Sequence, residues 1–193
     1  MSAEPPRPLF PEERAALLAL ARRAVIARVT DQPLPPTPDL PARLMAAQGA
    51  FVTLRIGGEL RGCIGVVEDD RPLGVVVARC AAGAAREDPR FPPLRERDLQ
   101  GLRIEISALS RPLAIESSGQ VEPGRHGVIV SRGRQQGLFL PQVATEQGWD
   151  RATLLRQACR KAGLPPDAWE RGARLEIFEA EVFGEPDPDP AGS

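Results

Sequence analysis

Hydrophobic and polar positions change period several times along this chain, and each change marks a predicted element. From Pro11 to Val29, the residues Leu17, Leu18, Ala21, Ala24, Val25 and Val29 recur at helical spacing, with Arg14, Arg22 and Arg23 largely outside the stripe. Pro11 suits a first helical turn, and Glu12 and Glu13 complement the N-terminal dipole, so a helix is predicted there. Five prolines between Asp31 and Pro41 predict an extended connector, followed by a short helix around Pro41–Gln48. Phe51–Ile56 alternates with period two, Gly57-Gly58 marks a turn, and Leu60–Gly65 follows as the return strand of a hairpin. A two-residue turn would put Val52, Leu54 and Ile56 on the face of Arg61 and Cys63. A three-residue turn, or an equivalent bulge, pairs Leu54 with Gly62 and Val52 with Ile64 and makes one face wholly apolar. That second register is expected, with Cys63 opposite Thr53 on the non-core face.

The period returns to helical over Pro72–Arg86, where Val76, Val77, Cys80, Ala81 and Ala84 form the inner stripe. Asp88-Pro89-Arg90-Phe91-Pro92-Pro93-Leu94 reads as a loop stiffened by proline. Leu102–Ser110 alternates as a strand with Leu102, Ile104, Ile106 and Ala108 inward. After a turn-rich stretch, a second hairpin is predicted from His126–Ser131 and Gly137–Leu140 about a turn at Arg132-Gly133-Arg134. Pro141 then starts a short helix. Asp150 is placed to cap a helix over Arg151–Ala162 that ends at Gly163, with Leu154, Leu155, Ala158, Cys159 and Ala162 inward. Ala173–Phe183 alternates as one final strand. Tight hairpins interspersed with helices predict an α+β fold, a two-layer arrangement of sheet and helices, with the alternative of two unequal subdomains around a cleft. The segment 1–10 is expected to be flexible, 11–183 to fold, and the Pro/Asp-rich tail 184–193 to be disordered.

Composition narrows the function classes. A net charge of −1, no basic run and only six Phe and two Trp argue against nucleic acid as the main partner. No apolar run is long enough to span a bilayer, and no leader is recognisable, so a cytoplasmic protein is expected. Three cysteines make no even disulfide framework and fit a reducing compartment. With His126 the single histidine, a multi-histidine metal site is excluded within one chain, and no metal is assigned.

The chemistry-bearing stretch is Leu60-Arg61-Gly62-Cys63-Ile64-Gly65. An arginine beside a thiol favours the reactive thiolate, and the bare backbone at Gly62 and Gly65 allows close approach. Cys63 is the candidate nucleophile, His126 the candidate general acid or base, and Glu105 the residue that would orient it or shuttle protons. Arg61, Gly62, Gly65, Asp88, Arg90 and Gln142 are candidate ligand-binding residues. Each also has a structural reading: a small buried thiol, a turn histidine, an ion pair, a helix cap. Cys80 and Cys159 fall on helix core stripes.

Four blocks of this sequence resemble one known family. They are Leu60–Gly65, Asp88–Leu94, Glu105-Ile106-Ser107-Ala108-Leu109-Ser110, and the run from Gly124-Arg125-His126-Gly127 through Gly137–Ala144 and Gly148-Trp149-Asp150 to Cys159–Leu164. The chain resembles the AMME chromosomal region candidate family, whose prokaryotic members are called AmmeMemoRadiSam system protein A, over roughly residues 10 to 183. The resemblance implies a two-layer α+β fold with unequal subdomains and a cytoplasmic protein. It also implies a Memo-like protein and a radical SAM protein as partners. It supplies no reaction and no cofactor. An enzyme using Cys63 on a small molecule is the leading expectation. The alternative is a non-catalytic module that binds an anionic ligand or a partner protein.

Overall fold

The structure is a computed structural model that describes residues 8–37, 40–68 and 70–186. Two units make up the chain, Met1–Ala108 with Glu181–Ser193, and Leu109–Ala180. Each builds its own four-stranded sheet with helices packed on it, which is the α+β architecture expected.

The first unit opens with α1 (Pro11–Val29). Its start is fixed by Glu13, whose buried carboxylate accepts the Phe10 N–H at 2.8 Å and an Arg43 N–H at 3.2 Å. Leu17, Leu20, Ala21, Ala24 and Val25 are fully buried, at the spacing of one helix face. The hairpin follows as β1 (Ala50–Ile56) and β2 (Glu59–Val66), then α2 (Leu73–Arg86) and β3 (Leu102–Leu109). Gly57 and Gly58 both have positive φ, so the turn itself has two residues, with Ile56 opposite Glu59 and Arg55 opposite Leu60. The register then shifts, and Leu54 faces Gly62, Thr53 faces Cys63 and Val52 faces Ile64. Arg61 is the extra residue of a bulge. The bulge does what the alternation of the two strands demands: it returns the apolar side chains to one face. Val52 and Leu54 lie fully buried with Ile104 and Ile106 of β3 under α1 and α2.

In the second unit come β4 (Leu113–Ile115), β5 (Gly127–Arg132), β6 (Gln135–Phe139), α3 (Pro141–Glu146), α4 (Arg151–Lys161) and β7 (Arg174–Phe178). Asp150 caps α4 by accepting the Thr153 N–H at 2.8 Å. Leu154, Leu155, Ala158 and Cys159 of α4 pack on Val128 and Val130 of β5 and on Leu175 and Ile177 of β7. The sheet order is β4–β7–β5–β6. The turn between β5 and β6 is one residue tighter than the expected Arg132-Gly133-Arg134, because Arg132 itself pairs with Gln135.

The expected single strand Ala173–Phe183 is two strands in two sheets. After β7 the chain breaks at Glu179 and continues as β8 (Ala180–Gly184), which completes the first sheet in the order β2–β1–β3–β8. The break is fixed by Ser110, whose N–H donates to the Glu179 carbonyl at 2.8 Å and whose hydroxyl accepts the Glu179 N–H at 2.9 Å. Alternation reports which side chains turn inward, not which core they enter: Leu175 and Ile177 enter one, Phe183 the other. The segments expected to be loose are partly tied in. Leu9 is buried and its N–H donates to Glu181 at 2.8 Å, while Arg22 grips Glu185 through its Nε at 2.7 Å. Residues 1–7 and 187–193, where the rest of those expectations fall, lie outside the described residues.

Candidate functional site

β2 is an edge strand of its sheet, so the outward N–H and C=O groups of Cys63 have no neighbouring strand. The proline-stiffened loop after α2 supplies the partners instead. Asp88 Oδ2 accepts the Cys63 N–H at 2.8 Å, and Arg90 Nη2 donates to the Cys63 carbonyl at 3.3 Å. The two clamp residues also bind each other, with Arg90 Nε on Asp88 Oδ1 at 2.9 Å and Nη2 on Oδ2 at 2.7 Å. The Asp88 side chain is 2% exposed and that of Arg90 58%. Arg90, and then the N–H groups of Cys63 and Arg90, hold the Asp88 carboxyl far below the usual carboxylate range against the opposing effect of burial. The loop is anchored by Leu94, buried, whose N–H donates to Ala85 at the end of α2 at 2.8 Å.

The thiol of Cys63 lies on the other face of β2 from the core. Thr53 Oγ1 donates to Cys63 Sγ at 3.3 Å. Glu105 of β3 is the next residue across the sheet, paired with Thr53. Thiol, hydroxyl and carboxylate therefore form one row on one face of three adjacent strands.

The remaining sequence candidates take other places. Arg61 sits in the bulge, with a buried Nε that has no hydrogen-bond partner, and no hydrogen bond joins it to Cys63 among the described residues. The cation at Cys63 is Arg90, not Arg61. The open backbone at Gly62 and Gly65 is filled by the protein's own atoms. A Cβ on Gly62 would stand 2.1 Å from the Ala84 carbonyl of α2, and one on Gly65 would stand 2.2 Å from the Phe51 ring. His126 belongs to the second unit, where it is buried, and its Nδ1 accepts the Glu122 N–H at 3.2 Å. Since an amide can only donate, the imidazole proton is on Nε2, 3.9 Å from Glu179 Oε1. That ring can give a proton through Nε2 but has no free acceptor. Gln142, at the start of α3, has a buried Oε1 with no partner. Thr53 is the contributor that residue type alone does not single out; its signal in the sequence is the hairpin register. Among the described residues no group of three His, Cys, Asp or Glu side chains is arranged to hold a metal ion, and no helix is long and apolar enough to cross a membrane.

Residues 18–183 match the sequence model of the AMMECR1 family. The chain belongs to the AMMECR1 family. A protein of Methanopyrus kandleri is 42% identical over 192 residues, covering 92% of this chain and 91% of its own. One from Pyrococcus furiosus is 40% identical over 184 residues, with 89% and 88% covered. The crystal structure of the uncharacterised protein PH0010 from Pyrococcus horikoshii superposes with a TM-score of 0.85 at 38% identity, covering 92% of this chain and 93% of that one. The names of these AMMECR1 relatives state no activity.

Proposed function

We propose that this AMMECR1 protein is a thiol-dependent enzyme acting on a small molecule, with Cys63 as its nucleophile. One observation carries the reading: a hydroxyl donates to a sulfur whose main chain is held on both sides by a charged clamp. A donor fixed beside sulfur stabilises negative charge there without reorganising during reaction. The clamp removes the freedom an edge strand would otherwise have, so the sulfur is held in position. In an acyl transfer, the thiol gives up its proton as sulfur bonds to the acyl carbon, and the leaving group departs with the electron pair and takes up a proton. Water then releases the acid and restores the thiol. The Cys63 N–H is occupied by Asp88, so it would not serve as an oxyanion donor. Glu105, one strand beyond Thr53, would be the proton shuttle of the row. This chemistry does not require His126.

We infer further that the protein works in the cytoplasm beside a Memo-like protein and a radical SAM protein. Family membership supports the partners, and three unpaired cysteines support a reducing compartment.

The test is the rate of alkylation of each cysteine in the folded protein at pH 7, located by peptide mapping. Cys80 and Cys159 are internal controls: both are buried, and burial pushes the Cys159 thiol up. Cys63 labelling at least tenfold faster than either, with a covalent adduct trapped from an activated acyl compound, supports the reading. Equal inertness of all three removes it.

A further inference from the structure

The same strand has a second face with a second feature. Ile64 and Val66 of β2 are only partly covered by the core. With Val76, Ala82 and Gly83 of α2 they form the apolar floor of a groove of about 510 Å³ in the first unit. That volume is in the range of small-molecule sites, roughly 300–1,000 Å³. Its rim is cationic: Arg28, Arg71 and Arg79 line it, against one acid, Glu87. The strongest pointer to a ligand is Arg28. Its Nη2 donates to Glu87 Oε1 at 2.8 Å, but its Nε is buried and has no hydrogen-bond partner. That buried Nε is as closed to a ligand as to water, so a carboxylate would meet the outer N–H groups of Arg28, whose side chain is 42% exposed, in charge-assisted hydrogen bonds. Glu87, with its side chain 62% exposed, is a weak rival for that position. Past Arg28 lies an adjoining hollow of about 470 Å³ lined by Arg95 and by Arg86, which is paired with Asp31.

We propose that this groove binds a small amphipathic carboxylate, its acyl chain lying on Ile64, Val66 and Val76 and its carboxylate on Arg28. The apolar floor selects the chain, the arginines select the charge, and neither feature alone accounts for the other. The site is separate from the thiol, which lies on the opposite face of β2, and stands whether or not Cys63 is a nucleophile.

Calorimetric titration of the full chain with decanoate tests it, with decanol, acetate and inorganic phosphate as comparison probes. Saturable one-site binding is expected for decanoate, with decanol at least tenfold weaker and acetate and phosphate without measurable heat. Arg28→Gln should weaken decanoate about tenfold, the scale of one charge-assisted hydrogen bond, and leave decanol unchanged. Gly83→Ala gives a variant that should fold, because the added methyl would meet Ile64 at 3.4 Å, an ordinary contact. It should weaken decanoate and decanol alike by a few-fold. Equal binding of decanoate and decanol, acetate or phosphate binding as tight as decanoate, or no response to Arg28→Gln would each overturn the proposal.

Discussion

The two hairpins of this protein have the same construction and different equipment. In β1–β2 followed by α2, Gly62 leaves room for the Ala84 carbonyl of the helix, which a Cβ would approach to 2.1 Å. In β5–β6 followed by α4, Gly137 leaves room for the Ala158 carbonyl, which a Cβ would approach to 2.4 Å. Both glycines lie on the second strand of their hairpin, and that strand is a sheet edge in each unit. One residue further on, the resemblance ends. Cys63 stands opposite Thr53, whereas Leu138 stands opposite Ile129. The Asp88–Arg90 clamp grips the main chain of Cys63, and no side chain grips that of Leu138 among the described residues. The glycine that makes the motif conspicuous in sequence is thus a packing device used twice. What is particular to the first hairpin is the thiol, the hydroxyl and the clamp.

If the glycines do the same job, breaking them should give the largest effects, and of similar size. Gly62→Ala and Gly137→Ala each drive a methyl into helix backbone, which cannot swing aside as a side chain would. Each should lose stability at or above the upper end of the overpacking range of about 1–3 kcal/mol. Urea unfolding followed in both units measures this. A mild loss for Gly62→Ala alongside a large one for Gly137→Ala would end the equivalence.

The clamp should show a different signature. Asp88→Ala leaves the Cys63 N–H and Arg90 without their acceptor, at a cost of about 2 kcal/mol, because Arg90 can turn to water while the N–H is left unpaired. Asp88 also predicts a pH dependence. Its folded pKa lies below the unfolded value of about 3.9, so between the two the unfolded state binds more protons. The contribution is complete above about pH 4 and is lost as the pH falls toward the depressed folded value. Unfolding midpoints measured from pH 6 down to pH 2 should fall less steeply in Asp88→Asn than in the parent chain. Parallel acid limbs would show that the charge of Asp88 adds nothing to stability.

Much of this was legible in the sequence, and the failures have physical causes. The hairpin register followed from segregating Val52, Leu54 and Ile64 on one face, because a slip of one residue would bury Cys63 instead. The bulge that achieves it also takes Arg61 out of the regular two-residue rhythm, so the inference that Arg61 attends the thiol does not carry through the bulge. Arg90, 27 residues downstream, takes that place through a loop bond that spacing along the chain does not encode. Gly62 and Gly65 looked like openings for a ligand. Whether bare backbone admits a ligand or the protein's own Ala84 carbonyl and Phe51 ring is decided by tertiary packing. The final strand failed for a similar reason: local alternation continues through Glu179, while the partner strands change.

The smallest effect sharpens the comparison most. If the chemistry resides in the Thr53–Cys63 pair and its clamp rather than in the hairpin-plus-helix frame, then a thiol moved to the equivalent place in the second hairpin should be ordinary. Leu138→Cys puts a sulfur opposite Ile129, which has no hydroxyl to donate, on a strand with no clamp. It should alkylate no faster than a free cysteine analogue at the same pH. Thr53→Val provides the converse: it keeps the shape of the Cys63 site and removes only the hydroxyl donor to sulfur. Loss of one such hydrogen bond, worth about 1 kcal/mol, should slow Cys63 alkylation by roughly fivefold while stability shifts little. The ratio of the two rates, parent to Thr53→Val, isolates the hydroxyl. Unchanged labelling in Thr53→Val, or fast labelling of Leu138→Cys, would move the origin of any reactivity from that pair to the frame the two hairpins share.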